Sequence, residues 1–150
     1  MKIPSGRKAI ARIAITTITI GFSALALAPP SSANSWDERI TVKHCKEPWT
    51  QLCKNTPTWN ASLTSPTNVT VIADPTHCSD IIAHLYVDRR EVLSQLLGPG
   101  ERTDVYRVPP GEHKIGVQAE GVTGGCNRGY LSAWGGTLHF QTLGQPVPFD

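Results

Sequence analysis

The fold class is decided by a short stretch in which apolar and polar side chains alternate, His113–Ala119 (HKIGVQA). Successive side chains of a β-strand point to opposite faces of the sheet, so apolar residues recur with a period of two. This period predicts a strand whose buried face is formed by Ile115, Val117 and Ala119. A strand with one apolar and one polar face is typical of an antiparallel sheet that packs on a core and is solvated on its other side.

Further β segments precede and follow this stretch, and Gly or Pro residues separate them. Short strands at this spacing favour a small antiparallel β-sandwich over an α/β domain. Arg90–Leu96 (REVLSQL) fits either a strand or one to two helical turns, and Gly135-Gly136 is predicted to be the turn of a last hairpin. The other predicted strands are Asn68–Ala73, Ile81–Val87, Asp104–Val108, Tyr130–Trp134 and Thr137–Leu143.

The first 33 residues are predicted to be a cleaved signal peptide. Four cationic side chains, the last of them Arg12, precede an apolar run from Ile13 to about Ala28, and small residues follow up to Ala33. This order is typical of a secretory signal, and we expect cleavage after Ala33. A membrane anchor is the alternative, but the run of about 16 residues is shorter than the roughly 20 that a helix needs to span a bilayer. We therefore expect no stable membrane anchor.

Removal of this segment changes the charge of the chain. The whole sequence carries 14 Lys and Arg against 12 Asp and Glu, a net charge of +2. Four of the cations and none of the acids lie within residues 1–33, so the remaining 117 residues carry ten cations, twelve acids and a net charge of −2. This length fits one domain. Nucleic-acid binding needs clustered positive charge, and the remaining chain has no such block, so we expect no nucleic-acid partner.

The four cysteines predict two disulfides, because an even number of cysteines in a small exported domain is typical of a disulfide framework. Four cysteines permit three pairings, of which we favour Cys45–Cys53 with Cys78–Cys126. The first would close a short local loop, and the second would tie distant strands and stabilise the fold by about 4 kcal/mol. A zinc site is the alternative, but the sequence contains no CxxC pair and its spacings fit no zinc-binding pattern.

Residues 34–66 are predicted to be an irregular N-terminal segment ahead of a β-sandwich domain at residues 67–150. Pro residues interrupt the segment, and Arg39–Lys43 (RITVK) fits a short strand. Its three Trp side chains could form an exposed binding surface or cover the edge of a small core, and the second interpretation is favoured because aromatics supply much buried area. They are Trp36, Trp49 and Trp59.

Part of the chain resembles the PEGA-like domains, which are small exported β-sandwich modules. The resemblance lies in three turns and the strands between them, Tyr86-Val87-Asp88, Gly98-Pro99-Gly100 and Val108–His113 (VPPGEH). It covers about 40 of the 117 residues and implies an Ig-like or PEGA-like antiparallel sandwich in the bacterial periplasm or secreted from the cell. Similar envelope proteins carry one Cys before the first of these strands and another in a Gly-rich stretch after the last. The resemblance therefore supports the pairing of Cys78 with Cys126.

The chain departs from the PEGA-like pattern at Arg89, where the family has Gly. A two-residue hairpin turn requires positive φ angles, which Arg adopts with strain. We therefore expect a longer loop at this hairpin. The resemblance implies almost nothing about a ligand, because function is carried by sites and not by the scaffold.

Catalytic and metal-binding motifs are missing from the sequence. No GxSxG motif is present, and every cysteine is used if both disulfides form. Acidic residues fall in turns and at strand ends, where they serve solubility. We therefore expect a protein that is not an enzyme and that uses no cofactor and no metal. The histidines show no HxH or HExxH spacing and are interpreted as ordinary surface residues: His44, His77, His84, His113 and His139.

The glycine-rich segment 121–136 (GVTGGCNRGYLSAWGG) is the strongest candidate for a binding site. It carries Arg128, Tyr130 and Trp134 and would be held by a disulfide. Tyr, Trp and Arg dominate the hot spots of protein–protein interfaces. The segment also fits a plain connection whose aromatic side chains pack into the core. The other candidate contact residues are Trp49 and Trp59.

These features favour an exported binding module that recognises another envelope or secreted protein, through its loops or through an open sheet edge that accepts a partner strand. An inhibitor or immunity-type protein is the most concrete form of this hypothesis. One alternative is a small-molecule or glycan binder that uses Trp side chains as stacking platforms. Another is a structural accessory protein of the envelope.

Overall fold

A computed structural model describes residues 33–46 and 50–144 of the chain, and within these ranges the protein is all β and contains no α-helix. The predicted signal peptide lies outside the described residues up to position 32. All strand pairs are antiparallel. The strands are β1 (Ser35–Val42), β2 (Thr58–Leu63), β3 (Thr67–Ala73), β4 (Ile81–Val87), β5 (Arg90–Leu97), β6 (Tyr106–Val108), β7 (Gly111–Gly121), β8 (Thr123–Gly124), β9 (Asn127–Arg128) and β10 (Trp134–Thr142).

Two four-stranded sheets and one small hairpin make up the fold. The first sheet has the order β1-β10-β3-β6, the second has the order β2-β7-β4-β5, and β8 pairs with β9. The first strand lies along the last one, from Ser35 opposite Gln141 to Val42 opposite Trp134. This pairing joins the two ends of the described chain.

Both four-stranded sheets contribute to one hydrophobic cluster. Along β4 and most of β10 its buried side chains alternate with half-buried ones, as the period of two requires. Burial of an Ile, Leu, Val or Phe side chain stabilises a fold by roughly 1.5–3 kcal/mol. The large side chains that are at most 1% exposed include Ile40, Val69, Val71, Leu138 and Phe140 from the first sheet, and Ile81, Leu85, Leu97, Ile115 and Val117 from the second.

The stretch that opened the sequence analysis is confirmed as the centre of the second sheet. Ile115, Val117 and Ala119 of β7 are 0% exposed and form the expected buried face. The strand β7 lies between β2 and β4 and pairs with both of them. Arg90–Leu96, which fits a strand or a helix in sequence, is part of β5.

The short strand expected at Arg39–Lys43 coincides with the end of β1, but the irregular structure expected for the rest of residues 34–66 is wrong, because this segment supplies most of β1 and the whole of β2. In β1 the apolar pattern is limited to Ile40 and Val42, while Asp37 and Arg39 are exposed. The strand conformation of its first half comes from backbone pairing with β10 at an edge of the sheet. Edge pairing of this kind leaves little signal in the pattern of side chains.

The last hairpin expected through Gly135-Gly136 is also wrong. Both glycines lie inside the continuous strand β10, and Tyr130 lies outside any strand. A Cβ at Gly136 would overlap the carbonyl oxygen of Ile72 on β3. The glycine is therefore needed for the close approach of two strands and not for a turn.

The longer loop expected near Arg89 is wrong as well. Val87 pairs with Arg90, so Asp88 and Arg89 form a two-residue turn with φ angles of 51° and 69°. The backbone N–H of Asp88 donates to the carbonyl oxygen of Lys114 at 2.9 Å, and the N–H of Lys114 donates to Asp88 Oδ1 at 2.9 Å. These bonds hold the turn against β7 and offset the strain of its left-handed conformation.

A search for membrane-spanning helices within residues 33–46 and 50–144 finds none of sufficient length and apolar character.

Candidate functional site

Both predicted disulfides are confirmed. The Cα atoms of Cys45 and Cys53 lie 5.1 Å apart, and those of Cys78 and Cys126 lie 5.7 Å apart. The second disulfide spans 48 positions and joins the chain just before β4 to the β8–β9 hairpin. Each disulfide therefore fixes a segment that lies outside the strands of the two four-stranded sheets. Disulfides are typical of proteins in oxidising, extracytoplasmic compartments.

The two disulfide-bonded loops lie against one another. The N–H of Cys45 donates to the carbonyl oxygen of Ser132 at 2.7 Å, and the N–H of Gly121 donates to the carbonyl oxygen of Gln51 at 2.9 Å. The segment that carries the candidate binding residues is thus held at both ends by the first loop. Sequence reasoning missed this contact because the partners are distant in the chain and interact through backbone atoms.

Gly125 shows why the segment is rich in glycine. Its φ angle is 53°, and a Cβ at this position would overlap the carbonyl oxygen of Cys78. A side chain would therefore push the hairpin away from the disulfide that anchors it. The hairpin and the chain before β4 can pack this closely because residue 125 has no side chain.

A cleft of about 260 Å³ lies where the hairpin meets the chain before β4. We call it the hairpin cleft. The Cys78–Cys126 disulfide forms part of its wall, so its width is set by a covalent bond. Other residues that line it are His77, Asn127, Tyr130 and Leu131.

Tyr130 is the large exposed side chain of the hairpin cleft, with 42% of its surface accessible. Its backbone is fixed by Asn127, whose Oδ1 accepts hydrogen bonds from the N–H groups of Gly129 at 3.0 Å and Tyr130 at 3.1 Å. Arg128 lies in the same turn and is exposed. The structure therefore brings two of the candidate binding residues, Arg128 and Tyr130, to one rigid surface.

His77 lies beside the hairpin cleft and is held by β10. Its Nε2 accepts a hydrogen bond from the N–H of Gly135 at 3.2 Å. Burial lowers the pKa of His77, and the negative charge of Asp74 opposes this effect in part. The imidazole is thus neutral at neutral pH, and because Nε2 accepts, its proton is on Nδ1. The hairpin cleft gains no positive charge from this histidine.

Asp74 fixes the turn that carries His77. Its Oδ1 accepts hydrogen bonds from the N–H and the hydroxyl of Thr76 at 3.0 and 2.7 Å, and its Oδ2 lies 2.6 Å from Nη2 of Arg39. These Thr76 bonds, and then the guanidinium of Arg39, hold the pKa of Asp74 below its ordinary value although burial opposes them. The carboxylate is therefore ionised over the whole physiological range.

The Trp side chains occupy different places from those expected of contact residues. Trp134 is 4% exposed because it lies on the inward face of β10, and Trp59 is half-buried against the core. Trp134 is thus part of the hydrophobic core and not of an exposed surface. Trp36 stacks on Phe140 with ring centroids 4.7 Å apart and planes 3° from parallel. Trp49 lies outside the described residues.

Three histidines pair with carboxylates across neighbouring strands instead of standing free on the surface. His84 lies between Glu91 and Glu120, with nitrogen–oxygen distances of 3.4 and 3.5 Å. In the described part of the chain, no group of three or more His, Cys, Asp or Glu side chains is placed to hold a metal ion. The other two pairs are His113 with Asp88 at 2.8 Å and His139 with Asp37 at 2.6 Å.

Comparison with known proteins identifies no family for this chain. No protein-family model and no curated protein matches the chain. Four chains of solved structures match, among them the crystal structure of dimeric latent PorU from Porphyromonas gingivalis. The alignment covers 80% of this chain but 14% of the PorU chain, at 9% sequence identity and a TM-score of 0.34. The chain thus spans a small fraction of PorU, and a likeness this weak carries no argument about fold or activity.

Proposed function

We propose that the protein is an exported, non-enzymatic binding module that recognises an envelope or secreted protein through the surface around the hairpin cleft. The observation that carries this proposal is the exposure of Tyr130 beside Arg128 on a segment held by a disulfide. Hot spots of protein interfaces are enriched in Tyr and Arg. A rigid segment also loses little conformational entropy on binding, which raises affinity.

The scaffold of this module is, in our proposal, a small β-sandwich of the PEGA-like or Ig-like kind. Two four-stranded antiparallel sheets that share one hydrophobic cluster support it. We also propose that a signal peptide directs the chain to the periplasm or the medium. The two disulfides support export, because such bonds persist in oxidising compartments.

The buried and half-buried positions of Trp134 and Trp59 argue against a stacking platform at either of these two residues. A stacking platform must present one ring face to solvent, and neither side chain is exposed. Trp36 is 37% exposed and packs one ring face on Phe140, so a glycan stacked on Trp36 stays the alternative. We favour a protein partner because Tyr130 and Arg128 are exposed side by side.

A photo-cross-linking amino acid placed at position 130 tests the proposal in cells that export the tagged protein. We expect one dominant cross-linked protein, identified by mass spectrometry. The matched control carries the cross-linker at Val105, which is 59% exposed and does not line the hairpin cleft. A single dominant partner is what an inhibitor or immunity-type role requires.

The same partner must then respond to substitution of the contact residues. We expect Tyr130→Ala and Arg128→Ala each to weaken binding of the purified partner by about 2 kcal/mol, or roughly 30-fold. Arg107→Ala, at an exposed arginine of β6, is the control and should leave the affinity unchanged.

Equal cross-linking from positions 130 and 105, or unchanged affinity of both hairpin variants, would refute the proposal. Co-purification with a fixed assembly would instead favour the structural-accessory alternative.

A further inference from the structure

A second cleft of about 260 Å³ lies on the outer face of the sheet β2-β7-β4-β5. We call it the outer-face cleft. Its floor is Gly116, which pairs laterally with Tyr86 of β4 and with Thr58 of β2. Because residue 116 has no side chain, a notch opens between the Tyr86 ring and the threonine. A Cβ at this position would lie 3.2 Å from Cγ2 of Thr56 and would partly fill the notch.

Two cationic side chains line the outer-face cleft, Arg89 from the β4–β5 turn and Lys114 from β7. Reciprocal hydrogen bonds between Asp88 and the backbone of Lys114, both 2.9 Å long, set the position of the turn relative to β7. Within residues 33–46 and 50–144, no ion pair joins Arg89 or Lys114 to a carboxylate. The outer-face cleft therefore presents positive charge beside an aromatic side chain.

The backbone of Arg89 is the second indication of a site. Its φ angle of 69° lies in the left-handed region, where Gly is the favoured residue at this position of a two-residue hairpin turn. Asp88 shares this conformation, but its carboxylate stabilises the turn through Lys114 and His113. The side chain of Arg89 makes no such bond within the described residues. A non-glycine residue in this conformation, without a structural contact of its side chain, points to a functional constraint on the residue.

We propose that the outer-face cleft binds a carboxylate carried on a six-membered ring, with the carboxylate held by Arg89 and Lys114 and the ring against Tyr86. An Arg guanidinium matches the geometry of a carboxylate with two parallel hydrogen bonds, and Lys adds a point charge. The hydroxyl of Tyr86 donates to Glu91 Oε2 at 3.1 Å, which fixes the ring. A volume of about 260 Å³ is slightly below the range of about 300–1,000 Å³ that is usual for small-molecule pockets, and it suits a ligand with a single ring.

A sugar acid and an aromatic acid share this chemistry, so the test uses one probe of each kind. The protein, purified in its exported form, is titrated with glucuronate and with benzoate and followed by NMR chemical shifts. Glucose and benzyl alcohol are the neutral controls. We expect at least one acid to bind with a Kd on the order of 1 mM or tighter, and its neutral counterpart not to bind. The acid that binds identifies the source of the carboxylate.

Arg89→Gly separates a ligand-binding role from a structural one. We expect it to weaken binding of the acid by about tenfold or more, while Tm rises by roughly 2–4 °C because Gly relieves the strained turn. Lys114→Gln should also weaken binding, and Arg90→Ala, next to the turn but outside the outer-face cleft, should change neither property. Failure of both acids to bind, binding that is unchanged in Arg89→Gly, or a lower Tm in that variant would overturn the proposal.

Discussion

The carboxylate of Asp88 lies against the imidazole of His113, with Oδ2 at 2.8 Å from Nδ1. Its other oxygen accepts a hydrogen bond from the N–H of Lys114 at 2.9 Å. These bonds tie the tight β4–β5 turn to the beginning of β7. They also lower the pKa of Asp88, the Lys114 bond contributing most and His113 next. A turn residue thus becomes a link between three strands of the second sheet.

Asp88→Asn should remove a pH-dependent part of the stability. A carboxyl whose pKa is lowered by folding stabilises the protein above its unfolded pKa, and this contribution is lost as the pH falls through the lower folded value. We therefore expect the free energy of unfolding of the wild type to fall more steeply than that of Asp88→Asn below about pH 4. Urea unfolding between pH 7 and pH 2.5 measures the difference. Asp104→Asn, at an exposed carboxylate, should follow the wild type, and parallel curves for Asp88→Asn would contradict the prediction.

The two disulfides should differ in their contribution to stability. Replacement of Cys78 and Cys126 by Ser releases a loop of 48 positions, and replacement of Cys45 and Cys53 releases a loop of 8 positions. The chain-entropy model gives losses of about 4 and about 2.5 kcal/mol. Denaturant unfolding of the two double variants measures these losses. An equal loss, or a larger loss for the shorter loop, would show that loop-closure entropy is not the main source of stabilisation.

The two adjacent glycines of β10 should respond differently to alanine. Gly136→Ala brings a Cβ into the carbonyl oxygen of Ile72, so the β3–β10 pairing must shift, and we expect a loss of about 1–3 kcal/mol. At Gly135 the nearest atom is the carbonyl oxygen of Ile40 at 3.3 Å, so Gly135→Ala should cost less than about 1 kcal/mol. Thermal unfolding measures the stability of both variants. A larger loss for Gly136→Ala is expected if β3 packs closely on β10 at this glycine, and not if the glycines form a turn. Losses of the opposite order would argue against the observed strand register.

Asp74 should matter more than its ion-pair partner Arg39. The side chain of Asp74 is 11% exposed and accepts two hydrogen bonds from Thr76, whereas that of Arg39 is 66% exposed. Exposed ion pairs contribute roughly 0–1 kcal/mol, and a lost pair of hydrogen bonds costs about 1–3 kcal/mol. We therefore expect Asp74→Ala to destabilise the protein clearly more than Arg39→Ala. Denaturant unfolding measures the free energy of unfolding of the two variants. Equal losses would show that Asp74 stabilises the protein through the ion pair and not through its hydrogen bonds with Thr76.

Sequence patterns predicted correctly those structural features that depend on a residue and its near neighbours in the chain. The strands β4 and β7 follow from alternation in Ile81–Val87 and His113–Ala119, and β3 follows from its β-branched residues. Leu138 and Phe140 of β10 face inward as expected. The disulfide pairing followed from cysteine spacing together with the PEGA-like resemblance. The candidate segment 121–136 was selected from its composition alone, which does not record that Trp134 is buried and Tyr130 is exposed.

Tertiary contacts decided the remaining features. Gly135-Gly136 resembles a turn in sequence, and the approach of β3 places it inside a strand. Arg89 was expected to lengthen a loop, and bonds from Asp88 to β7 hold it in a two-residue turn. Trp134 and Tyr130 belong to one short segment, yet one is buried and the other is 42% exposed, because β10 directs Trp134 into the core.

By itself the sequence determined that the described chain is all β and that its four cysteines form two disulfides, because alternation and an even cysteine count are properties of the chain alone. Strand order, the contact between the two disulfide-bonded loops and the positions of the two clefts were decided by the tertiary structure. These features depend on backbone hydrogen bonds and close packing between residues that are distant in sequence. Such bonds join groups that every residue carries, so the side-chain pattern does not record which partners they will have.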